Sequence, residues 1–228
     1  DAAPDMLENC WREESGGIDT DCFHEIYLEQ EKRWFDYHRT GIHWVDGRSV
    51  FLYTIDEVTD KKLYQQKIER QANNDFLTGL YNRRYLNRYL EKLAQKGKNG
   101  VYAALIDLDF FKKVNDEYGH AFGDEVLIEF ARILERNLIA DGIAVRFGGE
   151  EFMLILPDVT EEEIRHMLAK VRADYILFGK QKKNRAFTFS CGVEQFADGM
   201  DVSDVYRQAD EKLYLAKERG RDRVIING

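Results

Sequence analysis

Residues 143–157, IAVRFGGEEFMLILP, decide how the chain has to be read. Two apolar runs of strand length flank Gly148-Gly149, so the segment predicts a β-hairpin. A hairpin here requires antiparallel pairing in the main sheet, unlike a purely doubly wound parallel fold. Glu150 and Glu151 follow the glycines and interrupt a strand pattern that both charge and glycine oppose. Local conflict of this kind marks either a turn or a functional site. Taken alone, the pair reads as a solvated hairpin tip.

Working outward, helix and strand signals alternate. VYAALIDLD, residues 101–109, is a nearly continuous apolar run, expected for a strand covered on both faces. Tyr85, Leu86, Tyr89, Leu90 and Leu93 keep helical spacing, and Gly97 to Gly100 end that helix. DEVLIEFARILERNL predicts a helix with Val126, Leu127, Phe130, Ile133 and Leu134 on one side. TEEEIRHMLAKVRADY opens with a capping box, Thr160 with Glu163, and places Ile164, Met167, Leu168 and Val171 on one face. AFTFSCGVEQF alternates Phe187, Phe189, Cys191 and Val193. VSDVYRQADEKLYLAKERG is a last helix stopped by Gly220, and RVIIN a last strand. The expected class is a mixed α/β (α+β) fold.

The first sixty residues differ. RWFDYHRTGIHWVDGRSVFLYTIDEVTDKK has aromatic and β-branched runs separated by Thr-Gly and Asp-Gly, a pattern for antiparallel strands joined by short turns. Residues 59–74 form helix in this reading, with Thr59 as N-cap and a thin apolar stripe of Tyr64, Ile68 and Ala72. Such a helix either pairs with its twin in a dimer or is a solvated linker, and both readings stay open here.

Bulk properties exclude several classes. A chain of 228 residues with 44% hydrophobic and 33% charged residues fits a globular protein of one or two domains. No apolar run approaches a membrane span, and no secretory signal is present. The first residue is Asp1 rather than methionine, which leaves room for a longer, membrane-attached parent. A formal charge of −9 argues against a nucleic-acid polymer as partner. Cys10, Cys22 and Cys191 are scattered without CxxC spacing, as expected of inert thiols in a reducing cytoplasm.

Two acidic clusters carry the chemistry. Asp107 and Asp109 end the buried strand and, two apart, are predicted to share a face. If the hairpin lies beside that strand, Glu150 and Glu151 join them at one sheet edge. Crowded carboxylates repel and raise one another's pKa, so the cluster calls for a cation, and magnesium takes oxygen ligands. After it, DFFKKVNDEYGHAFGDEVL is dense in polar groups: Lys112, Lys113, Asn115, Asp116, His120 and Asp124. Exposed turn amides beside lysine can hold phosphate, and Asn and Asp side chains can read a base edge. Guanine offers donors that a carboxylate accepts. Asp124 equally fits a helix N-cap after Gly123, and His120 a packed side chain. Lys217 and Arg221, four apart near a helix end, are either a solvated basic face or the counter-charge of a triphosphate.

DFLTGLYNRR, IDLDFFKKVNDEYGHAFGDEVL, RFGGEEF and ADEKLYLAKERGRDRV stand in the order and spacing of the GGDEF domain of diguanylate cyclases, which the chain resembles from Asp75 to Arg223. The resemblance implies a fold like the nucleotide cyclases and polymerase palms, a five-stranded sheet surrounded by helices. It implies condensation of two GTP molecules into cyclic di-GMP with release of two pyrophosphates across a homodimer. By position, Asp107, the Leu108 carbonyl and Glu151 would bind two magnesium ions, or manganese in their place, with Glu150 as ligand or base. Backbone around Phe110, Phe111 and Lys112, the glycines Gly148 and Gly149, and the side chains of Lys217 and Arg221 would hold substrate. Asn115 and Asp124 would recognise guanine. Many relatives carry an Arg-x-x-Asp inhibitory motif before the glycines; Ile139, Ala140, Asp141 and Gly142 stand there instead, so product inhibition through that site is not expected. The N-terminal part resembles the closing half of a PAS sensor, with Asp56-Glu57-Val58-Thr59-Asp60 ahead of the helix. The implied organisation is a PAS-like segment (1–58), a signalling helix (59–74) and a cyclase domain (75–228). The rivals are a catalytically silent receptor for GTP or cyclic di-GMP, and a relaxed cyclase that also accepts ATP, which Asp124 disfavours.

Overall fold

Period-two alternation along Cys22–Leu28 produces β1, whose exposure alternates residue by residue. With β2 (Arg33–His43) and β3 (Ser49–Glu57) it forms an antiparallel three-stranded meander. Asp46-Gly47 turns the chain between β2 and β3: Gly47 has φ 81° and its N–H donates to the Trp44 carbonyl at 2.9 Å. The turn expected at Thr40-Gly41 does not form. Gly41 lies inside β2 opposite Phe51, and the β-branched residues on either side carry the ladder through it, Thr40 opposite Leu52 and Ile42 opposite Val50. Helix α1 (Thr59–Asn73) follows. Thr59 ties it to the sheet rather than serving only as a cap, accepting from the Trp34 N–H at 2.9 Å and donating to Glu57 at 3.0 Å. Tyr64 and Ile68 of the predicted stripe stay exposed, and no residue of α1 is buried.

This computed structural model describes residues 21–96, 100–196 and 202–226. They fall into two units, one ending at Glu69 and the other beginning at Arg70. Cys10 and Gly97 lie outside the described residues.

The second unit is built on one sheet. Its elements are β4 (Tyr81–Asn82), α2 (Arg83–Lys96), β5 (Tyr102–Leu108), α3 (Phe111–Tyr118), α4 (His120–Asn137), β6 (Ile143–Gly148), β7 (Glu151–Leu156), α5 (Glu161–Lys183), β8 (Phe189–Gln195), α6 (Val202–Glu218) and β9 (Val224–Ile225). The strand order is β4-β6-β7-β5-β8-β9, with β5 antiparallel to both of its neighbours and β6 and β7 forming the expected hairpin. The count is six rather than five because two-residue strands close both edges in parallel pairing.

Side-chain alternation splits the core in two. Ala104, Ile106, Phe152, Leu154 and Phe189 face α4 and α5. Phe130 of α4 makes edge-on contacts there with Phe152, Tyr175 and Phe189, at centroid distances of 5.0, 4.7 and 5.6 Å. Each such pair adds about 1 kcal/mol to the burial of its rings. Ala103, Leu105, Met153 and Ile155 face α2 and α6. The predicted capping box starts α5, the Thr160 side chain accepting from the Glu163 N–H. α4 starts at His120, not at Asp124: Gly119, with φ 83°, breaks the helical run, so Asp124 sits inside the helix and is not its cap.

Helix α6 lies against β8 at Gly192. A Cβ built there would stand 2.1 Å from the Ala209 carbonyl oxygen and 2.4 Å from the Leu213 nitrogen. Lys212 fastens the same contact, donating to the Val193 carbonyl at 2.9 Å and pairing with Glu194 at 2.9 Å. Because helix backbone cannot yield to a methyl group, Gly192→Ala is expected to destabilise the second unit by about 3 kcal/mol or more, read as a lowered urea midpoint.

Candidate active site

The end of β5 and the start of β7 put two carboxylates opposite one another: Asp107 pairs with Glu151 in the antiparallel register. Directly opposed residues project from the same side of a sheet, so like charges meet. A register shift between Arg146 and Gly148 and a left-handed Gly149, φ 49°, close the hairpin. Glu150 belongs to that turn instead of following it, and its carbonyl accepts from the Leu108 N–H at 3.3 Å. Lys217, in the last turn of α6, reaches Asp107 at 2.8 Å.

The electrostatics follow from crowding. Burial raises the Asp107 carboxyl above its ordinary range; Lys217 pulls it back, while Glu150 and Asp109 push it further up. Burial also raises Glu151, Asp107 adds to the effect, and Lys217 opposes it. Asp210 and Glu150 are the remaining acidic neighbours of Glu151.

Asp109 does not share the Asp107 face, contrary to the spacing argument. The strand ends at Leu108, and the Asp109 carboxylate, buried, accepts from Thr188 at 2.8 Å, Ser190 at 2.7 Å and the Asp222 N–H at 3.0 Å. It is a satisfied anchor for the loop after α6. That loop holds Arg221 and Asp222 at φ 64° and 50°, and Arg172 pairs with Asp222. Left-handed backbone is costly for residues with side chains, so the anchor offsets strain that aims Arg221.

Arg221 then meets Phe110, its guanidinium 4.8 Å from the ring centroid, with Lys113 at the same distance. Phe110 is itself left-handed, φ 59°, exposed, and stands at the N-terminus of α3 without a side-chain cap. Phe111 is buried beneath that turn and Lys112 is exposed. A helix N-terminus flanked by three cations is suited to phosphate oxygens. Farther along, a Cβ on Gly123 would stand 1.9 Å from the Asn115 side-chain oxygen, so only glycine lets α4 pass that amide. Asp124, next in sequence, is exposed beside it.

Sequence reasoning missed Arg146. Its guanidinium forks, donating to the Gly149 carbonyl at 3.0 and 2.9 Å and to Asp75 at 3.0 Å, with both side chains mostly buried. Burial would raise Asp75, but the Thr78 N–H and hydroxyl and then Arg146 leave it below the ordinary range. Arg146 thus fixes the hairpin turn to the first loop of the unit. A lone arginine before two glycines gave no hint of a partner so far upstream.

The donors near the hairpin are all oxygen: the carboxylates of Asp107, Glu150 and Glu151, with the backbone carbonyl of Leu108 ending the strand. Among the described residues no three His, Cys, Asp or Glu side chains form a ready cage for a metal ion. Magnesium suits such an open set, because it keeps waters and takes one or two carboxylates plus substrate phosphate. A divalent cation would also relieve the repulsion that raises Asp107 and Glu151.

Residues 72–223 match the model of the family "Diguanylate cyclase, GGDEF domain". The chain belongs to the GGDEF diguanylate cyclase family. It is 40% identical over 164 residues to the response regulator PleD of Caulobacter vibrioides, covering 68% of this chain and 36% of that protein. It is 33% identical over 182 residues to diguanylate cyclase DgcM of Escherichia coli, covering 78% of this chain and 44% of that one. The matches therefore span less than half the length of these relatives. Among solved structures, the coiled coil and GGDEF domain of DgcB from Caulobacter crescentus in complex with c-di-GMP aligns with TM-score 0.68 and 28% identity, over 75% of this chain and 93% of that one. The active GGEEF domain of a diguanylate cyclase from Vibrio cholerae aligns with TM-score 0.59 and 32% identity, over 64% and 97%.

Two outcomes are expected. Arg146→Ala should cost about 2 kcal/mol, through the lost fork and the Asp75 charge left behind, seen in chemical denaturation. A carboxyl whose folded pKa is raised supports the fold in acid and withdraws that support as pH rises through the folded value. Metal-free Glu151→Gln should therefore melt higher than the parent at neutral pH, and the difference should close below the ordinary carboxylate range. Calorimetric melts across pH would check it.

Proposed function

We propose that the chain is an active, magnesium-dependent diguanylate cyclase that condenses two GTP into cyclic di-GMP and two pyrophosphates. The observation that carries this reading is the direct opposition of Asp107 and Glu151 across β5 and β7 with Lys217 at Asp107. A half-buried like-charge pair beside a cationic helix N-terminus disfavours the empty fold and suits a metal-nucleotide complex. The Glu-Glu form of the motif is also that of the active Vibrio cholerae domain.

In this reading Asp107, the Leu108 carbonyl and Glu151 hold two magnesium ions, or manganese in their place, with Glu150 beside them as ligand or base. Bound metal supplies positive charge to the triphosphate and lowers the pKa of the attacking hydroxyl. The chain's own groups do the positioning. Backbone at Phe110, Phe111 and Lys112, the open turn at Gly148 and Gly149, and the cations Lys217 and Arg221 seat the phosphates; Asn115 and Asp124 read guanine. Two copies bring their nucleotides together, so that the 3′-oxygen of one GTP attacks the α-phosphorus of the other as pyrophosphate leaves. The meander of β1 to β3 acts as a PAS-like sensory segment, and α1 relays its state to the cyclase domain through a dimer seam of Tyr64, Ile68 and Ala72. No described helix is long and apolar enough to cross a membrane. The reading places the reaction in the cytoplasm.

Purified protein incubated with GTP and magnesium is expected to release pyrophosphate and form cyclic di-GMP, with ATP a poor substitute. Glu151→Gln should lower the rate by about 100-fold or more, and chelation should abolish it. Absence of pyrophosphate at concentrations that enforce dimers would make the chain the silent receptor instead.

A further inference from the structure

The hairpin carries one residue more on β6 than on β7. Arg146 faces Phe152 and Gly148 faces Glu151, so Phe147 is the residue left out of the ladder. Such a bulge bends its strand and re-aims a side chain, and bulges recur next to active sites. Here it decides what stands opposite Glu151. Unshifted pairing would continue from Arg146 opposite Phe152 to Phe147 opposite Glu151, and directly opposed residues project from the same side of a sheet. An aromatic ring would then crowd the carboxylate. The shift puts Gly148 there instead, and a Cβ built on Gly148 meets no atom within 4 Å.

A residue outside the ladder has to be held by something else, and two helices hold Phe147. The Arg83 guanidinium, at the start of α2, lies 4.5 Å from its ring centroid. The Tyr206 ring of α6 stacks on it at 5.1 Å, with 27° between the planes. Phe147 and Tyr206 also pack against the core beneath α2 and α6. Stacked rings and a cation over an aromatic face add to what burial of these side chains contributes. The clamp reaches as far as the acidic pair. Burial raises the Tyr206 phenol above its ordinary value, Glu151 and Asp210 raise it further, and Arg83 opposes them.

We infer that Arg83, Phe147 and Tyr206 are positioning residues for the acidic hairpin: the clamp keeps Phe147 out of the ladder, so that Gly148 rather than a ring stands opposite Glu151 and the space beside that carboxylate stays open. On the cyclase reading, that space takes the metal and the phosphates; the register clause does not rest on that reading. Asn115 and Asp124, which read guanine in that proposal, belong to the α3–α4 corner and not to the clamp. Loss of the clamp therefore affects metal use more than nucleotide recognition.

Tyr206→Leu removes the stacking partner, and Tyr206→Phe keeps the ring. Nuclear Overhauser contacts across the hairpin of the full, metal-free chain report the register directly. The parent and Tyr206→Phe are expected to show Gly148 opposite Glu151, and Tyr206→Leu to show contacts between Phe147 and Glu151. With GTP, Tyr206→Leu should lower kcat about tenfold and raise the magnesium concentration for half-maximal rate about fivefold, with KM for GTP within about twofold of the parent. Tyr206→Phe should match the parent in all three. A smaller folded fraction would lower kcat alone and leave the magnesium requirement where it was. A folded Tyr206→Leu that keeps Gly148 opposite Glu151, or an unchanged magnesium requirement in an active enzyme, overturns the proposal. If Tyr206→Leu does not fold by circular dichroism, Arg83→Met at its exposed position decides, with the same change of register expected and an unchanged one overturning the clamp. A chain inert toward GTP whose register changes in Tyr206→Leu keeps the clamp and loses the cyclase reading; an active cyclase whose register does not change does the reverse.

Discussion

Asp107 and Glu151 repel each other across adjacent strands, and much of the second unit is arranged around that repulsion. Lys217 compensates it only in part, since both carboxyls remain raised by burial. Holding Lys217 in place requires α6 to lie close on β8, and that closeness requires Gly192. Each device is ordinary packing, yet together they keep a charged pair inside a sheet that hydrophobic burial alone would fill with apolar residues. The neighbouring Asp109, with three donors on its carboxylate, is the contrast. One acid is satisfied and structural; the other two are offset only in part, by Lys217.

Much of this was legible in the sequence because it is written in periodicity. The helices α4 and α5 bury the residues their spacing selected, α2 buries Leu86 and Leu90 and leaves Tyr85, Tyr89 and Leu93 half-buried, and the hairpin forms where two glycines interrupt two apolar runs. What failed did so for local reasons. The two-residue rule for Asp107 and Asp109 assumes a continuing strand, but β5 stops at Leu108 and Phe110 turns left-handed. The start of α4 was misplaced because Gly119 reads no differently from the other glycines in a polar run. Two-residue edge strands have no period to detect, so β4 went unseen. Arg146 and Asp75 are 71 residues apart, a separation at which pattern carries no signal without a fold.

The site residues implied by family resemblance also fall into a physical order. Asp107, Glu151 and Lys217 meet directly. Arg221 and Phe110 form a second group through a guanidinium over a ring, beside Lys113. Asn115 belongs to a third, the α3–α4 corner at Gly123. The sequence listed these as separate motifs. Backbone strain at Phe110, Arg221 and Asp222 is what bends the intervening chain so that the first two groups share a rim.

The Arg146 fork has a consequence for how the unit assembles. Its two acceptors come from opposite ends of the folding problem: a hairpin carbonyl three residues away and a carboxylate in the opening loop. Local closure of the turn is fast, while docking of the distant loop must wait for the sheet to form. The acidic tip thus acquires its final shape only once this contact between residues 71 apart has closed. A chain whose opening loop has yet to dock holds Glu150 and Glu151 next to one another in sequence, but not yet in the fixed arrangement that the Arg146 fork gives the turn.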